Sequence, residues 1–287
     1  MPEMTVFSPA KVNLRLAVVG RRTDGYHWLD MLMVPLAFGD EMQIAVDSAK
    51  AGIEFESNCG EIPQDEHNLC VRAAQLMQRT AHRNDRVRIQ LDKRIPVGAG
   101  LGGGSSNAAA VIATLNRLWA LQLSETDLAS LGVQLGADVP FFCFGRPAWV
   151  RGIGEIVHCI NDFLELPILL VNPRCGVVTS TIFRSFAQSH PFQLTPVPPD
   201  ASVRPLLRSV SEVAAQLRND LEAVTTQQLP VVREMRWALD AAGAVGTLMS
   251  GSGSTVFGLF NSEEARDRAA AELAPRGWWL QATQSIC

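Results

Sequence analysis

Five of the seven residues from Gly98 to Gly104 are glycine, within the stretch IPVGAGLGGGSSNAAAV at residues 95–111. In a regular helix or strand each glycine costs roughly 0.5–1 kcal/mol relative to alanine, so five would remove about 2.5–5 kcal/mol. That is a large share of a folding free energy of about 5–15 kcal/mol. A fold carries such a run where bare backbone is needed, in a loop of unusual φ that brings amide N–H groups close to a ligand. The flanks support this. The strand-like VRIQL precedes the run, Pro96 fixes the way in, and Ser105 and Ser106 stand where helix-start hydroxyls belong, ahead of NAAAVIATL. Unbonded N–H groups at a helix start, the positive end of the helix dipole and exposed backbone together make an anion site. Phosphate is the natural anion for a cradle of this size.

Other glycine motifs fit less well. Walker A requires Lys-Ser/Thr after its last glycine, whereas Gly103 is followed by Gly104-Ser105. Residues 98–103 match GxGxxG, but a dinucleotide site expects an acidic residue at a strand end about 20 residues later. That region is LSETD, which reads as a helix cap. No HRD or DFG supplies a protein-kinase context.

The 287 residues suffice for two ordinary domains or one large one. A net charge of −4 gives no basic surplus for nucleic acid. No apolar run has membrane-span length, and MPEMTVFSPAKVNL has neither a signal-peptide nor a transit-peptide pattern, so a cytoplasmic protein is expected. The six cysteines are scattered without a CxxC pair, as expected of reduced core residues rather than a zinc or disulfide framework.

KVNLRLAV alternates as a half-buried strand does, with Val12, Leu14, Leu16 and Val18 on one face and Lys11, Asn13 and Arg15 on the other. DEMQIAV and VRIQL read as strands, and HNLCVRAAQLMQRTAH has helical spacing. The helix after the glycines is predicted from about Ser106 to Trp119, and a capping box from Ser124 to Asp127 opens another. Beyond about residue 160 the texture changes. LPILLVNP is a buried-strand candidate, and the five prolines within 191–205 mark a surface loop or connection. Helical patterns follow around 206–218 and 230–242, then the strand–loop–strand GTLMSGSGSTVFGLF and the capped helix SEEARDRAAAEL. The chain reads as α+β, with domains at 1–160 and 161–287.

The run PVGAGLGGGSSNAAA resembles the phosphate-binding motif P-x-x-x-G-L-x-S-S-A-A of the galactokinase, homoserine kinase, mevalonate kinase and phosphomevalonate kinase superfamily. Here Gly103-Gly104 before the serines lengthens the shortest form. SPAKVNLRLAVVGRRTDGYHWLDMLM, LGADVPFF and GTLMSGSGSTVFGLF extend the resemblance, in order, over nearly the whole chain. Within the superfamily the motif set is most similar to the branch whose acceptor is a cytidine diphosphate-linked methylerythritol. The resemblance implies a two-domain small-molecule kinase fold. Its N-terminal, ATP-binding part is ribosomal protein S5 domain 2-like, its C-terminal part is ferredoxin-like and completes the acceptor site, and the active site lies in the cleft between them.

It also implies transfer of the γ-phosphoryl of ATP to an alcohol, with Mg2+ neutralising nucleotide charge and the metal ligands left open. Asp138 in GADVP, placed at an element end by Gly136 and Pro140, is the candidate base, and Lys11 the candidate stabilising cation. Asn13 would orient the acceptor hydroxyls. Tyr26 and His27 would meet the cytosine by stacking and hydrogen bonding, with Phe183 on its other face and Thr179 bonded to the substrate. The proline that often follows that threonine is Ser180 here. Pro96, Val97, Gly98, Ala99, Gly100, Leu101, Gly102, Gly103, Gly104, Ser105 and Ser106 would wrap the phosphates, Ser106 as a metal or phosphate contact. Asn68 and Lys93 match positions that approach adenine in relatives, and SGSGS, residues 250–254, lies on the loop folded beside the acceptor.

Two other readings stand beside this one. A kinase for a smaller alcohol, such as homoserine or mevalonate, would need no clamp for a base. A nucleotide-binding regulator would keep the fold without the chemistry of Lys11 and Asp138.

Overall fold

The computed structural model describes residues 1–190 and 207–287, so the proline-rich stretch of 191–205 lies outside the described residues. In chain order the elements begin with β1 (Glu3–Arg21), β2 (His27–Asp47), β3 (Ile53–Ser57), α1 (Leu69–Thr80), β4 (Arg86–Asp92) and α2 (Gly103–Leu118). They continue with α3 (Glu125–Gly132), α4 (Val139–Phe144), β5 (Ala148–Gly152), β6 (Ile156–Cys159), β7 (Pro167–Asn172) and α5 (Thr179–Ser189). The last are α6 (Val210–Ala214), β8 (Arg218–Asn219), α7 (Glu222–Gln228), α8 (Val231–Ala241), β9 (Gly246–Met249), β10 (Val256–Leu259), α9 (Glu263–Leu273) and β11 (Trp279–Gln284).

Two compact units are each assembled from three stretches of chain: Met1–Ala10, Gly39–Val97 and Gly102–Gly145 in one, and Lys11–Phe38, Gly98–Leu101 and Arg146–Cys287 in the other. In the first unit β4 pairs antiparallel with Glu41–Asp47 of β2, and β3 runs parallel to β4. α1 and α2 pack together, and α2 also meets α3 and α4. The buried stripe of α1 (Cys70, Val71, Ala73, Ala74, Leu76 and Met77) is the apolar face that its helical spacing predicts. The capping box of Ser124 and Asp127 forms at the start of α3.

In the second unit Leu29–Met33 of β2 pairs antiparallel with β5, which forms a hairpin with β6, and Arg15 and Leu16 of β1 pair parallel with β8. A four-stranded antiparallel sheet has the order β11-β7-β10-β9, with α8 and α9 packed on it. Ile168, Leu169, Leu170 and Val171 of β7 are fully buried, which explains the unbroken apolar run of that strand.

Three expectations need correction. Strand β1 is not half-buried at this motif but buried on both faces: Lys11 is 3% and Asn13 1% exposed, as buried as Val12 and Leu14 opposite. Helix α2 begins at Gly103, three residues before Ser106, so two of the five glycines are helical. A Cβ on Gly103 would lie 2.8 Å from Lys93 Nζ, and that close approach is what the missing side chain allows. The helical pattern of 206–218 yields only α6, because the chain then turns into β8. There Asp220 Oδ2 accepts from Val18 N at 2.8 Å and Asn219 Oδ1 from Leu221 N at 2.9 Å.

Candidate active site

The glycine loop has two differently built parts. From Gly98 to Leu101 every carbonyl is engaged within its own unit: Gly98 O accepts from Val177 N (3.1 Å), Ala99 O from Thr255 N (3.2 Å) and Leu101 O from Lys11 N (3.0 Å). Gly100 O accepts from Ser250 Oγ at 2.9 Å. In a planar trans peptide N–H and C=O point oppositely, so these bonds turn the amides of residues 99–102 away from the groups holding the carbonyls. Gly98, Gly100 and Gly102 have φ of +63°, +77° and +72°, the left-handed region that glycine occupies without strain. The second part is the start of α2. Gly102 is its N-cap and no side chain caps the helix, so its first amides keep their anion-binding capacity.

Ser105 is half-buried beside the turn that leads to Asp138, where a Cβ on Gly136 would lie 3.7 Å from Ser105 Oγ. Ser106 is 1% exposed and its Oγ accepts from Ser8 Oγ at 2.8 Å, so of the two serines Ser105 is the accessible one. Lys93 is not solvated. Its ammonium pairs with the fully buried Asp40 at 2.6 Å and lies against Gly103. Asn68 caps α1, its Oδ1 accepting from Cys70 N at 2.8 Å while Nδ2 donates to Pro63 O at 2.7 Å. The structure thus gives Asn68 and Lys93 local partners.

Lys11 Nζ donates to Asn13 Oδ1 at 2.5 Å, joining the two polar residues of the β1 motif. A Cβ on Gly251 would sit 3.4 Å from that ammonium, which places Lys11 beside the SGSGS loop. Ser250 links the same pieces: its Oγ accepts from Asn13 N at 3.4 Å and donates to Gly100 O. Asp138 is the N-cap of α4 with Pro140 in the first turn, and its carboxylate makes no capping bond. It therefore stands at an element end, as Gly136 and Pro140 imply.

His27 stacks on Phe183, ring centroids 5.5 Å apart and planes at 26°. Burial, and after it the charge of Arg21, lowers the pKa of His27 below the ordinary imidazole value, so the ring is neutral near pH 7 and offers one donor and one acceptor nitrogen. Tyr26 next to it is 63% exposed, with its backbone held in the Arg22–Tyr26 turn. Thr179, the first residue of α5, hydrogen-bonds Ser252 of the SGSGS loop at 2.9 Å. Two motifs more than 60 residues apart in the sequence therefore meet.

Four residues whose pairings the sequence does not signal hold these parts. Asn219 Nδ2 donates to Met249 O and Gly251 O (2.7 and 2.8 Å), and Asn172 Nδ2 to Ser254 Oγ and Thr255 Oγ1 (3.2 and 2.9 Å). Asp40 and Ser250 are the others. Each is an ordinary polar residue in the sequence, and only the fold assigns its partners. Among the described residues the group able to offer three metal-ligating side chains is the exposed Asp65, Glu66 and His67, on the stretch leading to α1.

The chain matches the GHMP kinases N terminal domain over residues 68–146 and the GHMP kinases C terminal family over 203–278. It is 43% identical to the 4-diphosphocytidyl-2-C-methyl-D-erythritol kinase of Citrifermentans bemidjiense, covering 100% of both chains. It is 36% identical to the kinase of the same name from a Synechococcus species, over 98% of this chain and 94% of the other. A crystal structure of 4-(cytidine 5'-diphospho)-2C-methyl-D-erythritol kinase superposes with a TM-score of 0.79 at 36% identity, over 99% of this chain and 100% of that one. Homoserine kinase from Cytophaga hutchinsonii shares the fold, with a TM-score of 0.75 at 20% identity over 100% and 95% of the two chains. With full-length relatives at this level, and both halves of the kinase pattern present, the chain belongs to the 4-diphosphocytidyl-2-C-methyl-D-erythritol kinase family of GHMP small-molecule kinases.

Proposed function

We propose that this kinase transfers the γ-phosphoryl of ATP to the 2-hydroxyl of 4-diphosphocytidyl-2-C-methyl-D-erythritol, giving the 2-phosphate and ADP in isoprenoid biosynthesis. The observation that carries the nucleotide half is the uncapped start of α2 behind three left-handed glycines, with the carbonyls of residues 98–101 all tied back. The amides from Ala99 to Ser105 then face the phosphates, with Ser106 N bonded back to Gly102 O at 2.9 Å, and Pro96 and Val97 lead into them. In the transfer the acceptor oxygen forms the new O–P bond, the bond from γ-phosphorus to the bridging oxygen breaks, and ADP leaves. Asp138 takes the hydroxyl proton as the O–P bond forms, and Lys11, positioned through Asn13, stabilises the spread negative charge. Mg2+ fits as a nucleotide-borne ion, since the accessible Ser105 hydroxyl and the phosphate oxygens are hard donors. When bound it supplies charge neutralisation.

For the acceptor, the stacked pair of His27 and Phe183, with Tyr26 exposed next to His27, offers aromatic faces and a neutral imidazole edge to cytosine. Thr179 and the SGSGS loop contact the rest of the substrate. This pair favours the cytidyl alcohol over homoserine or mevalonate, which present no base. We assign ATP binding to 1–160 and completion of the acceptor site to 161–287; the two matched family segments fall on either side of that division. No described helix is long and apolar enough to cross a membrane, in keeping with a cytoplasmic location.

The test is a coupled ADP-release assay with the diphosphocytidyl alcohol, homoserine and mevalonate in parallel. Turnover of the first alone is expected. Preference for either small alcohol would reject the acceptor assignment, and ATP binding without any turnover would favour the regulator.

A further inference from the structure

We infer that Asp40, which lies outside every motif above, is a positioning residue that sets the spacing between the two ends of the glycine loop. The inference rests on the phosphate reading of that loop. Asp40 is fully buried, and an ionised carboxylate is stable there only if its oxygens are satisfied. Both are. Oδ1 accepts from Arg94 N at 2.7 Å and Ile95 N at 2.8 Å, the peptide groups immediately before Pro96. Oδ2 accepts from Lys93 Nζ at 2.6 Å and Asn107 Nδ2 at 2.9 Å. Asn107 lies in the second turn of α2, and the Lys93 ammonium packs against Gly103, the first residue of that helix. One oxygen therefore holds the chain leading into the loop and the other holds the helix leading out of it.

The hydrogen bonds have a fixed direction. A carboxylate only accepts, so Asn107 turns its NH2 toward Asp40, and the same nitrogen donates to Ser8 Oγ at 2.9 Å. Ser8 in turn donates to Ser106 Oγ at 2.8 Å. Ser8, Ser106 and Asn107 are at most 2% exposed, so the arrangement is sealed from solvent. Lys93 sits at a helix start, the unfavourable end for a cation, and Asp40 offsets its charge. Apolar side chains of equal volume would fill the same space but anchor neither end. Between the anchors the chain passes Gly98, Gly100 and Gly102, each of which loses much backbone freedom on ordering. Fixing the ends in advance reduces what nucleotide binding must supply.

The experiment is steady-state kinetics of the full chain with ATP and the diphosphocytidyl alcohol, plus amide exchange by mass spectrometry. Asp40→Asn keeps the shape and the two peptide contacts, but removes the charge opposite Lys93 and presents an NH2 to Asn107. It is expected to raise KM for ATP about tenfold or more while KM for the acceptor stays within about twofold, because only buried partners on the ATP side are left unmatched. Exchange across 96–106 should quicken while β7 and β10 keep their protection. Asn107→Ala leaves the ion pair in place and should raise KM for ATP about three- to tenfold. It decides the matter if Asp40→Asn does not fold. A parallel rise of both KM values, or an unmoved KM for ATP, would overturn the positioning role. Gly100→Ala separates the two levels of argument. If it leaves KM for ATP unmoved, the phosphate reading itself fails. If it raises KM for ATP and the Asp40 and Asn107 variants do not, only the role of Asp40 fails.

Discussion

Replacing Gly100 by alanine tests the loop geometry most directly. At φ +77° an L-residue costs about 1–2 kcal/mol relative to glycine. Space is the larger problem: the new Cβ would lie 2.1 Å from Ser250 O and 3.0 Å from Gly253 O, both backbone atoms that no rotamer change can move aside. The loop must shift, and the bonds from Ser250 Oγ to Gly100 O and from Lys11 N to Leu101 O are the nearest to be lost. At about 1 kcal/mol each they bring the total to about 3–4 kcal/mol. If all of it is expressed in nucleotide binding, KM for ATP rises by about two to three orders of magnitude. Gly243→Ala is the control, because φ is +89° there but nothing lies within 4 Å of a new Cβ. It should lower the melting temperature through strain alone and leave KM for ATP unchanged. KM for ATP is measured by coupled ADP release and stability by thermal unfolding of both variants. Equal losses of stability with KM unmoved in both would refute the reasoning.

Three other outcomes are expected. Asp138→Asn should lower kcat by about 10²–10⁴-fold with little change in KM for ATP, read from the same assay. For His27 the folded state holds fewer protons than the unfolded chain just below the ordinary imidazole pKa, since burial and Arg21 lower its value. Stability should therefore fall as pH drops from about 6.5 toward that lower value, and His27→Gln should flatten this part of the melting-temperature profile. Burial pushes the Cys70 and Cys143 thiols up to about 12, whereas Cys175 is exposed, so alkylation near pH 8 followed by mass spectrometry should find Cys175 modified well before either.

The helices and strands with a strong period were legible: the stripe of α1, the capping box of α3, the buried run of β7 and the strands around SGSGS all stand where periodicity and capping chemistry put them. Alternation of polar and apolar residues does not by itself give burial: Lys11 and Asn13 alternate as in a half-buried strand, yet they are buried against each other and against Ser250. The boundary of α2 is displaced because glycine propensity argues against helix, while glycine at the first position leaves room for the Lys93 ammonium and the Ile95 side chain. The hairpin of β5 and β6 leaves no trace in the sequence, because strands of five and four residues are too short for a clear period. The supports of the site were the least legible. Asp40, Asn172, Asn219 and Ser250 acquire their meaning from partners 30 to 150 positions away, and no local pattern encodes such a pairing. Cysteines expected in the core include two, Cys175 and Cys287, that are exposed.

The path of the chain through its two units bears on how such a kinase can change over time. Strands β1 and β2 each contribute residues to both units, and the glycine loop lends four residues, Gly98–Leu101, to the unit that does not contain its flanks. A fragment ending at 160 would lack β8, the partner of Arg15 and Leu16, and the complementary fragment would lack the Gly98 and Ala99 carbonyls that accept from Val177 N and Thr255 N. Recombination cannot therefore exchange one half for another as a ready-made module. Substitution within an intact chain leaves all of these pairings in place.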